Sequence, residues 1–325
     1  MSGIDPIDLA LLDGFQRDLP LVPRPFAEIG ARLGLEEADV IARLSHMQAE
    51  GRITRVGATV RPNTAGASTL AAMAVPEERI EAVAALVGAE PGVNHSYLRE
   101  DHWNLWFVAT APGAEALDAS LARIEARAGL RLLDLRLVRP FNIDLGFPLA
   151  GAPVAMTGDR GAETAILRPN DRPLLQALSQ GLELVPRPWA ALAARLGRDE
   201  AAVTSRIAVL QAAGILTRLG IIVRHRALGY TANAMVVWNL PEAQIGRAGP
   251  ALAALAGITL CYQRRAVPGV WPYRLYSMIH ARSREQALEV LERACALPGL
   301  AGVDHRVLFS TRCFKQSGAR LEEAA

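Results

Sequence analysis

Apolar and polar positions change their spacing along the chain. Ile7, Leu11 and Phe15 recur four apart, Phe26, Ile29 and Leu33 mark a second stripe, and Val40, Leu44 and Met47 a third, each the pattern of one helical face. Gly34 and Gly51 fall where helix C-caps belong, and Pro25 and Pro188 suit a first helical turn, where a missing N–H costs nothing. Arg52-Ile53-Thr54-Arg55 and Ala58-Thr59-Val60-Arg61 read as two short β segments around Gly57. Three helices and a small hairpin predict a winged helix-turn-helix. Strand-like and helix-like stretches then alternate: strand Thr69 to Val75, helix Glu77 to Val87, strands Val93 to Arg99 and Trp103 to Thr110, helix Ala114 to Ala128, strand Leu132 to Arg139. That order, βαββαβ, predicts a ferredoxin-like sandwich.

The whole pattern returns. Leu21-Val22-Pro23-Arg24-Pro25-Phe26 recurs 163 residues later as Leu184-Val185-Pro186-Arg187-Pro188-Trp189, and the same offset carries Thr54-Arg55-Val56-Gly57 onto Thr217-Arg218-Leu219-Gly220. A period this long means two homologous units in tandem, since solenoid repeats are only ~20 to 50 residues long. The second βαββαβ set reads Ala232 to Trp238, Glu242 to Leu255, Thr259 to Arg265, Tyr273 to His280, Arg284 to Ala296 and Gly302 to Phe309. The expected fold is α+β, a tandem repeat of winged helix-turn-helix plus ferredoxin-like units forming a pseudo-dimer. Its boundaries are 1–62 and 63–145 for copy one, a Gly/Ala/Pro-rich linker over 146–165, then 166–228 and 229–325 for copy two.

Charge removes some function classes. Thirty-five basic residues, of which only Lys315 is a lysine, face 33 acidic ones, so the net charge of +2 offers little field for a polyanion, and any such site is local. Cys261, Cys295 and Cys313 form no Cys-x-x-Cys pair, which points to neither a disulfide framework nor a cysteine metal site and suits a reducing compartment. With no basic leader and no apolar run of ~18 residues, the expected location is cytoplasmic, away from the membrane.

A winged helix joined to a ferredoxin-like domain resembles the AsnC and leucine-responsive regulators, so DNA binding is the obvious first reading. The third helix argues against it. Its first turn reads Glu36-Glu37-Ala38-Asp39 in copy one and Arg198-Asp199-Glu200-Ala201 in copy two, which would set carboxylates beside phosphates. Acidic residues are also ordinary company for a helix N-terminus. Arginines of the expected wings (Arg52, Arg55, Arg61; Arg218, Arg224, Arg226) would serve phosphate or another anion.

The copies diverge beyond Tyr97-Leu98-Arg99 and its counterpart Tyr262-Gln263-Arg264. The first turns tightly through Glu100-Asp101-His102 into Trp103-Asn104-Leu105-Trp106-Phe107; the second takes a longer turn, Arg265 to Pro272, before Tyr273. The motif Arg99 to Phe107, the set Cys261 to Arg265 with Trp271-Pro272-Tyr273 and Met278-Ile279-His280, and the ending Phe309 to Gly318 resemble the sirohaem decarboxylases in their fused two-domain (NirDL-type) form. The resemblance spans nearly the whole chain except the linker. It implies removal of the C12 and C18 acetate carboxyl groups of sirohaem to give didecarboxysirohaem, on the way to haem d1. It implies no cofactor of the enzyme's own, the iron arriving with the substrate. Partners would be paralogous decarboxylase chains of the NirG and NirH type or a second copy, and not DNA.

Such chemistry needs guanidinium forks for carboxylates and a proton for the carbon that becomes methyl. His225 and His102 are the candidate acids, with iron ligation a second role for His225; the bland readings are a hairpin residue and a solvated turn histidine. Arg264, Arg265 and Arg274 lie on strands expected to pair and would hold several carboxylates, Arg99 is the copy-one counterpart, and Lys315 is the lone ammonium in an arginine-rich chain. Arg264, Arg265 and Arg274 also suit a solvated sheet face. Tyr262 and Trp271, with Tyr273 and Tyr276, would pack on the macrocycle or simply form core; His280 would contact substrate or be a satisfied buried histidine. His46, His95 and His305 receive no role. The loop and arginines place the expected site mainly in copy two. The competing functions are an AsnC-type DNA-binding regulator and a non-catalytic tetrapyrrole sensor.

Overall fold

The computed structural model describes residues 4–143 and 161–318. The expected linker therefore lies mostly outside the described residues. Copy one runs α1 (Pro6–Gly14), α2 (Pro25–Leu33), α3 (Glu37–Ala49), β1 (Ile53–Val60), β2 (Ala67–Met73), α4 (Ile80–Ala89), β3 (Val93–Arg99), β4 (Leu105–Ala111), α5 (Ala114–Ala128) and β5 (Leu132–Asn142). Copy two runs α6 (Asp171–Gln180), α7 (Pro188–Leu196), α8 (Glu200–Ala212), β6 (Leu216–Val223), β7 (Ala232–Trp238), α9 (Glu242–Ala253), β8 (Ile258–Arg264), β9 (Leu275–Ala281), α10 (Arg284–Cys295) and β10 (His305–Gln316). The described chain forms two units, residues 4–65 with 161–229 and residues 66–143 with 230–318.

In the first unit the expected hairpin is replaced by one continuous strand in each copy, and β1 pairs antiparallel with β6. Gly57 does not make a turn. It stands opposite Gly220, and a Cβ on Gly57 would lie 2.5 Å from Leu178 O, one on Gly220 2.4 Å from Phe15 O. The glycines are there for close approach: the end of α6 presses on β1 and the end of α1 on β6, so each copy's first helix packs on the other copy's strand. Backbone bonds fix this exchange, Leu182 N to Val56 O at 2.7 Å and Leu19 N to Leu219 O at 3.1 Å. Inside each copy a half-buried ion pair ties the first helix to the third, Arg43 to Asp8 at 2.7 Å and Arg206 to Asp171 at 2.6 Å.

In the second unit eight strands close into a barrel in the order β10-β3-β4-β2-β5-β8-β9-β7. Closure depends on two long strands. β5 pairs with β2 up to Arg136 and with β8 from Leu137; β10 pairs with β7 up to Phe309 and with β3 from Ser310. Both strands run past the ends expected at Arg139 and Phe309, through Pro140 and through the polar run Ser310-Thr311-Arg312. Irregular register at both crossovers lets each strand bend from one sheet into the other.

Strand alternation divides the side chains among three cores. Val87, Phe107, Leu117 and Ile124 pack under the copy-one helices, and Val236, Trp238, Leu252 and Ile279 under those of copy two. Leu133, Leu135, Met235, Val237 and Leu308 fill the barrel interior with aromatic residues from both copies. On β7, Met235 and Val237 point inward, so Asn233 shares the interior face.

Candidate active site

Arg99, at the end of β3, is only 6% exposed. Its Nη1 donates to Leu308 O at 3.0 Å and to Asn233 Oδ1 at 3.3 Å. With Oδ1 accepting, the amide presents Nδ2 as donor to His280 Nε2 at 2.8 Å, the register partner of Asn233 on β9. The imidazole proton then sits on Nδ1 and is donated to Thr259 Oγ1 at 2.7 Å, whose own hydrogen goes to Met278 O at 3.1 Å. This direction of donation assigns the amide orientation and the tautomer, and it leaves His280 uncharged.

Arg264 is the pseudo-symmetric counterpart. Its Nη1 donates to Leu135 O at 2.7 Å, as Arg99 does to Leu308 O, and its guanidinium lies 4.6 Å from the Tyr262 ring centre. Its buried Nε has no hydrogen-bond partner among the described residues. The residues of the relay are not repeated in the other copy. The strand positions matching Asn233, His280 and Thr259 carry Ser68, Thr110 and Asn94 in copy one, with Thr110 bonded to Gly92 O and Asn94 to His95.

Tyr262, Trp271, Tyr273 and Tyr276 are all buried in the barrel core. Tyr262 stacks on Tyr276 at 5.8 Å, Trp271 Nε1 donates to Tyr276 Oη at 2.8 Å, and Trp271 meets Trp106 of copy one at 5.4 Å. Burial pushes the Tyr276 phenol well up from its ordinary value, so it stays protonated. His102 is exposed on the tight turn, edge-on to Trp103 at 5.9 Å. The same turn is held by Asp101, which accepts from Trp103 N and pairs at 3.1 Å with Arg306. Arg306 in turn donates to Tyr273 Oη at 2.9 Å and lies over Trp271.

The three copy-two arginines do not converge, although β8 and β9 pair as expected. Arg264 turns to Leu135 O, Arg265 is exposed, and Arg274 sits 3.8 Å from Glu242. Lys315 serves a helix end, its Nζ donating at 2.7 Å to Gly88 O in the last turn of α4, where burial lowers its pKa. His225 belongs to the other unit, in the short 3-10 helix His225–Leu228. Burial, with Arg226 beside it, holds its pKa down to about 4, so at neutral pH it is an uncharged imidazole and a poor proton donor. Asn233, Thr259 and Arg306 carry the network and were not singled out from sequence. Setting Ser68 beside Asn233 and Thr110 beside His280 was the available signal.

The acidic first turns of α3 and α8 have an internal use. Arg24 of one copy binds Glu37 and Arg187 of the other binds Glu200, at identical places in the repeat. Of the arginines expected on wings, Arg55 is half-buried, which lowers its pKa, Arg218 is 6% exposed, and Arg52 pairs with Glu50.

Family models match an AsnC-like ligand binding domain at residues 65–141 and 227–315, and a sirohaem decarboxylase NirDL-like helix-turn-helix domain at 8–53 and 171–216. The sirohaem decarboxylase NirDL subunits of Paracoccus pantotrophus and Paracoccus denitrificans are 65% and 64% identical, each over 99% of both chains. The NirH subunit of P. pantotrophus is 39% identical over 47% of this chain and 95% of its own length. A crystal structure of the sirohaem decarboxylase NirDL aligns with a TM-score of 0.70 at 27% identity, over 96% of this chain and 93% of that one. A second crystal structure of NirDL, with a TM-score of 0.68 at 26% identity over 96% and 92% of the two chains, is a co-complex with an iron-uroporphyrin III analogue. Two AsnC-like domains and two helix-turn-helix domains in one chain, matched end to end by these relatives, make this chain a member of the sirohaem decarboxylase family in its fused NirDL form.

Proposed function

We propose that the chain removes the C12 and C18 acetate carboxyl groups of sirohaem, as a carboxy-lyase, and that the barrel unit supplies its carboxylate-binding groups. The observation that carries this reading is the buried, hydrogen-bond-lacking Nε of Arg264 on a guanidinium already fixed by Leu135 O and Tyr262. A desolvated guanidinium donor is costly to leave unmet, and a carboxylate is its natural acceptor. Sirohaem offers such groups around its rim, and its iron comes with it as part of the substrate.

In the reaction the C–C bond to the carboxylate breaks, carbon dioxide leaves, and the electron pair remains on a methylene carbon conjugated with the macrocycle. A proton then completes the methyl group. The chain's part is orientation, exclusion of water and delivery of that proton. Arg264 and Arg99 hold carboxylates, with exposed Arg265 and Arg274 as outer contacts. The packed aromatic residues form a rigid floor, since Trp271 and Tyr276 are already core. His102, exposed on its turn, is the proton donor, and the uncharged His225, in the other unit, is left out of that role. Lys315, held at a helix end, is left out of the site.

Anaerobic incubation with sirohaem followed by mass analysis tests the reading. Loss of two carboxyl groups is expected. Sirohaem returned intact with only a spectral shift would make the chain a sensor, and salt-dependent operator binding in a gel shift would make it a regulator. Because a separately encoded NirH chain occurs beside a fused relative, the assay is run with and without such a half-length partner.

A further inference from the structure

We infer that Asn233 is a positioning residue for substrate binding: it orients the Arg99 guanidinium by transmitting a hydrogen-bond direction that starts at Met278 O and passes through Thr259 and His280. The inference rests on the decarboxylase reading for what Arg99 meets, and on the geometry alone for how Arg99 is held.

The chain of donors has one consistent sense. Met278 O can only accept, so Thr259 Oγ1 donates to it and accepts from His280 Nδ1. His280 then has an unprotonated Nε2, which requires a donor, and Asn233 Nδ2 is 2.8 Å away. The amide is thereby turned so that Oδ1 faces Arg99 Nη1. Asn233 is 5% exposed and His280 8%, so a wrongly turned amide would bury two donors against each other. Leu308 O supplies the second acceptor of Nη1, and two acceptors on one nitrogen fix the plane of the guanidinium. A bidentate carboxylate contact depends on that plane, so ordering it before substrate arrives removes part of the entropic cost of binding. Ser68 stands in the place of Asn233 in copy one, with a shorter side chain and no amide whose two ends are chemically distinct. The device belongs to one end of the pseudo-symmetric barrel.

Two variants of the full chain test it, with sirohaem as the probe. Asn233→Ser is expected to raise the sirohaem Kd, read by anaerobic absorbance titration, about tenfold, while kcat stays within about threefold. Asn233→Asp keeps the shape and the bond to Arg99 but replaces the donor to His280 by an acceptor. Nitrogen-15 NMR of labelled histidine should then show His280 protonated at Nε2, with a melting temperature near wild type. An unchanged Kd in Asn233→Ser, or a wild-type tautomer in Asn233→Asp, would overturn the inference. Neither readout needs turnover, so wild-type protein that binds sirohaem without converting it would sink the decarboxylase reading and leave this one standing on its own measurements.

Discussion

Gly57 faces Gly220 across the two-stranded sheet, and the end of a helix from the opposite copy presses on each. Arg24 with Glu37 repeats as Arg187 with Glu200, and Arg43 with Asp8 as Arg206 with Asp171. Around the barrel the copies part. Arg99 and Arg264 reach matching carbonyls, yet Arg99 is tied to Asn233, His280 and Thr259, whose matching positions in copy one carry Ser68, Thr110 and Asn94. Duplicated halves have kept what an exchanged-helix sheet needs and changed the buried polar residues that face the interior. The difference locates chemistry where the shared residues cannot.

The shared part is the easiest to break. Ala at Gly57 or Gly220 would set a Cβ within 2.5 Å of a backbone carbonyl that cannot swing away. Each substitution should cost about 3 kcal/mol or more of unfolding free energy in a urea titration, and the two costs should agree within about 1 kcal/mol. Strong disagreement would mean that the copies are not equivalent even where their sequences match.

Removing the arginines probes the divergent part. Arg264→Met should lower kcat/KM for sirohaem about a hundredfold, roughly 2.7 kcal/mol of transition-state stabilisation, and cost only about 1 kcal/mol of stability, because it strands Leu135 O alone while Nε loses no acceptor. Arg99→Met should cut turnover too, but also destabilise the fold by about 2 kcal/mol by stranding Asn233 Oδ1 and Leu308 O. Equal effects on stability would erase the distinction between the two ends.

Much of this was legible before any coordinates. The expected bounds Val93–Arg99, Ala114–Ala128 and Ala232–Trp238 match to the residue, the first strand ending on a charge, the helix at Gly129 and the last strand shortly before Pro241. What failed was partner choice. Nothing local distinguishes a glycine that turns from one that admits a neighbouring helix, so Gly57 was read as a hairpin. The continuation of β10 through polar residues is set by a strand of the other copy. The site suffered in the same way: Arg264, Arg265 and Arg274 are close in sequence but point to different neighbours. Asn233 carries no local signal, since its meaning comes from Arg99, 134 positions away.

His225 sharpens the comparison in the helix-turn-helix unit, where copy one has Pro62 at the equivalent position. Its folded pKa of about 4 lies below the ordinary 6.5, so between those values the unfolded chain binds the extra proton and the folded one resists it. Stability contributed by the neutral form is complete above pH 6.5 and is lost as pH falls towards 4, about 2 kcal/mol of it between pH 7 and 5. Melting temperatures of wild type and His225→Gln across that range should converge on acidification. Parallel curves would show that the imidazole is not held neutral by burial.

The smallest effect concerns the one lysine. Lys315 donates to Gly88 O at the end of α4, and Asn142, at the end of β5 in the other copy, likewise donates to a backbone carbonyl, Thr259 O at 2.8 Å. Both ends are thus finished by a polar side chain on a neighbouring carbonyl, and the ammonium needs no substrate to account for it. Lys315→Met should cost about 1 kcal/mol in denaturant and leave the sirohaem KM within about twofold. A tenfold rise in KM with unchanged stability would return the ammonium to the substrate, and the two strand ends would then differ in function as well as in residue.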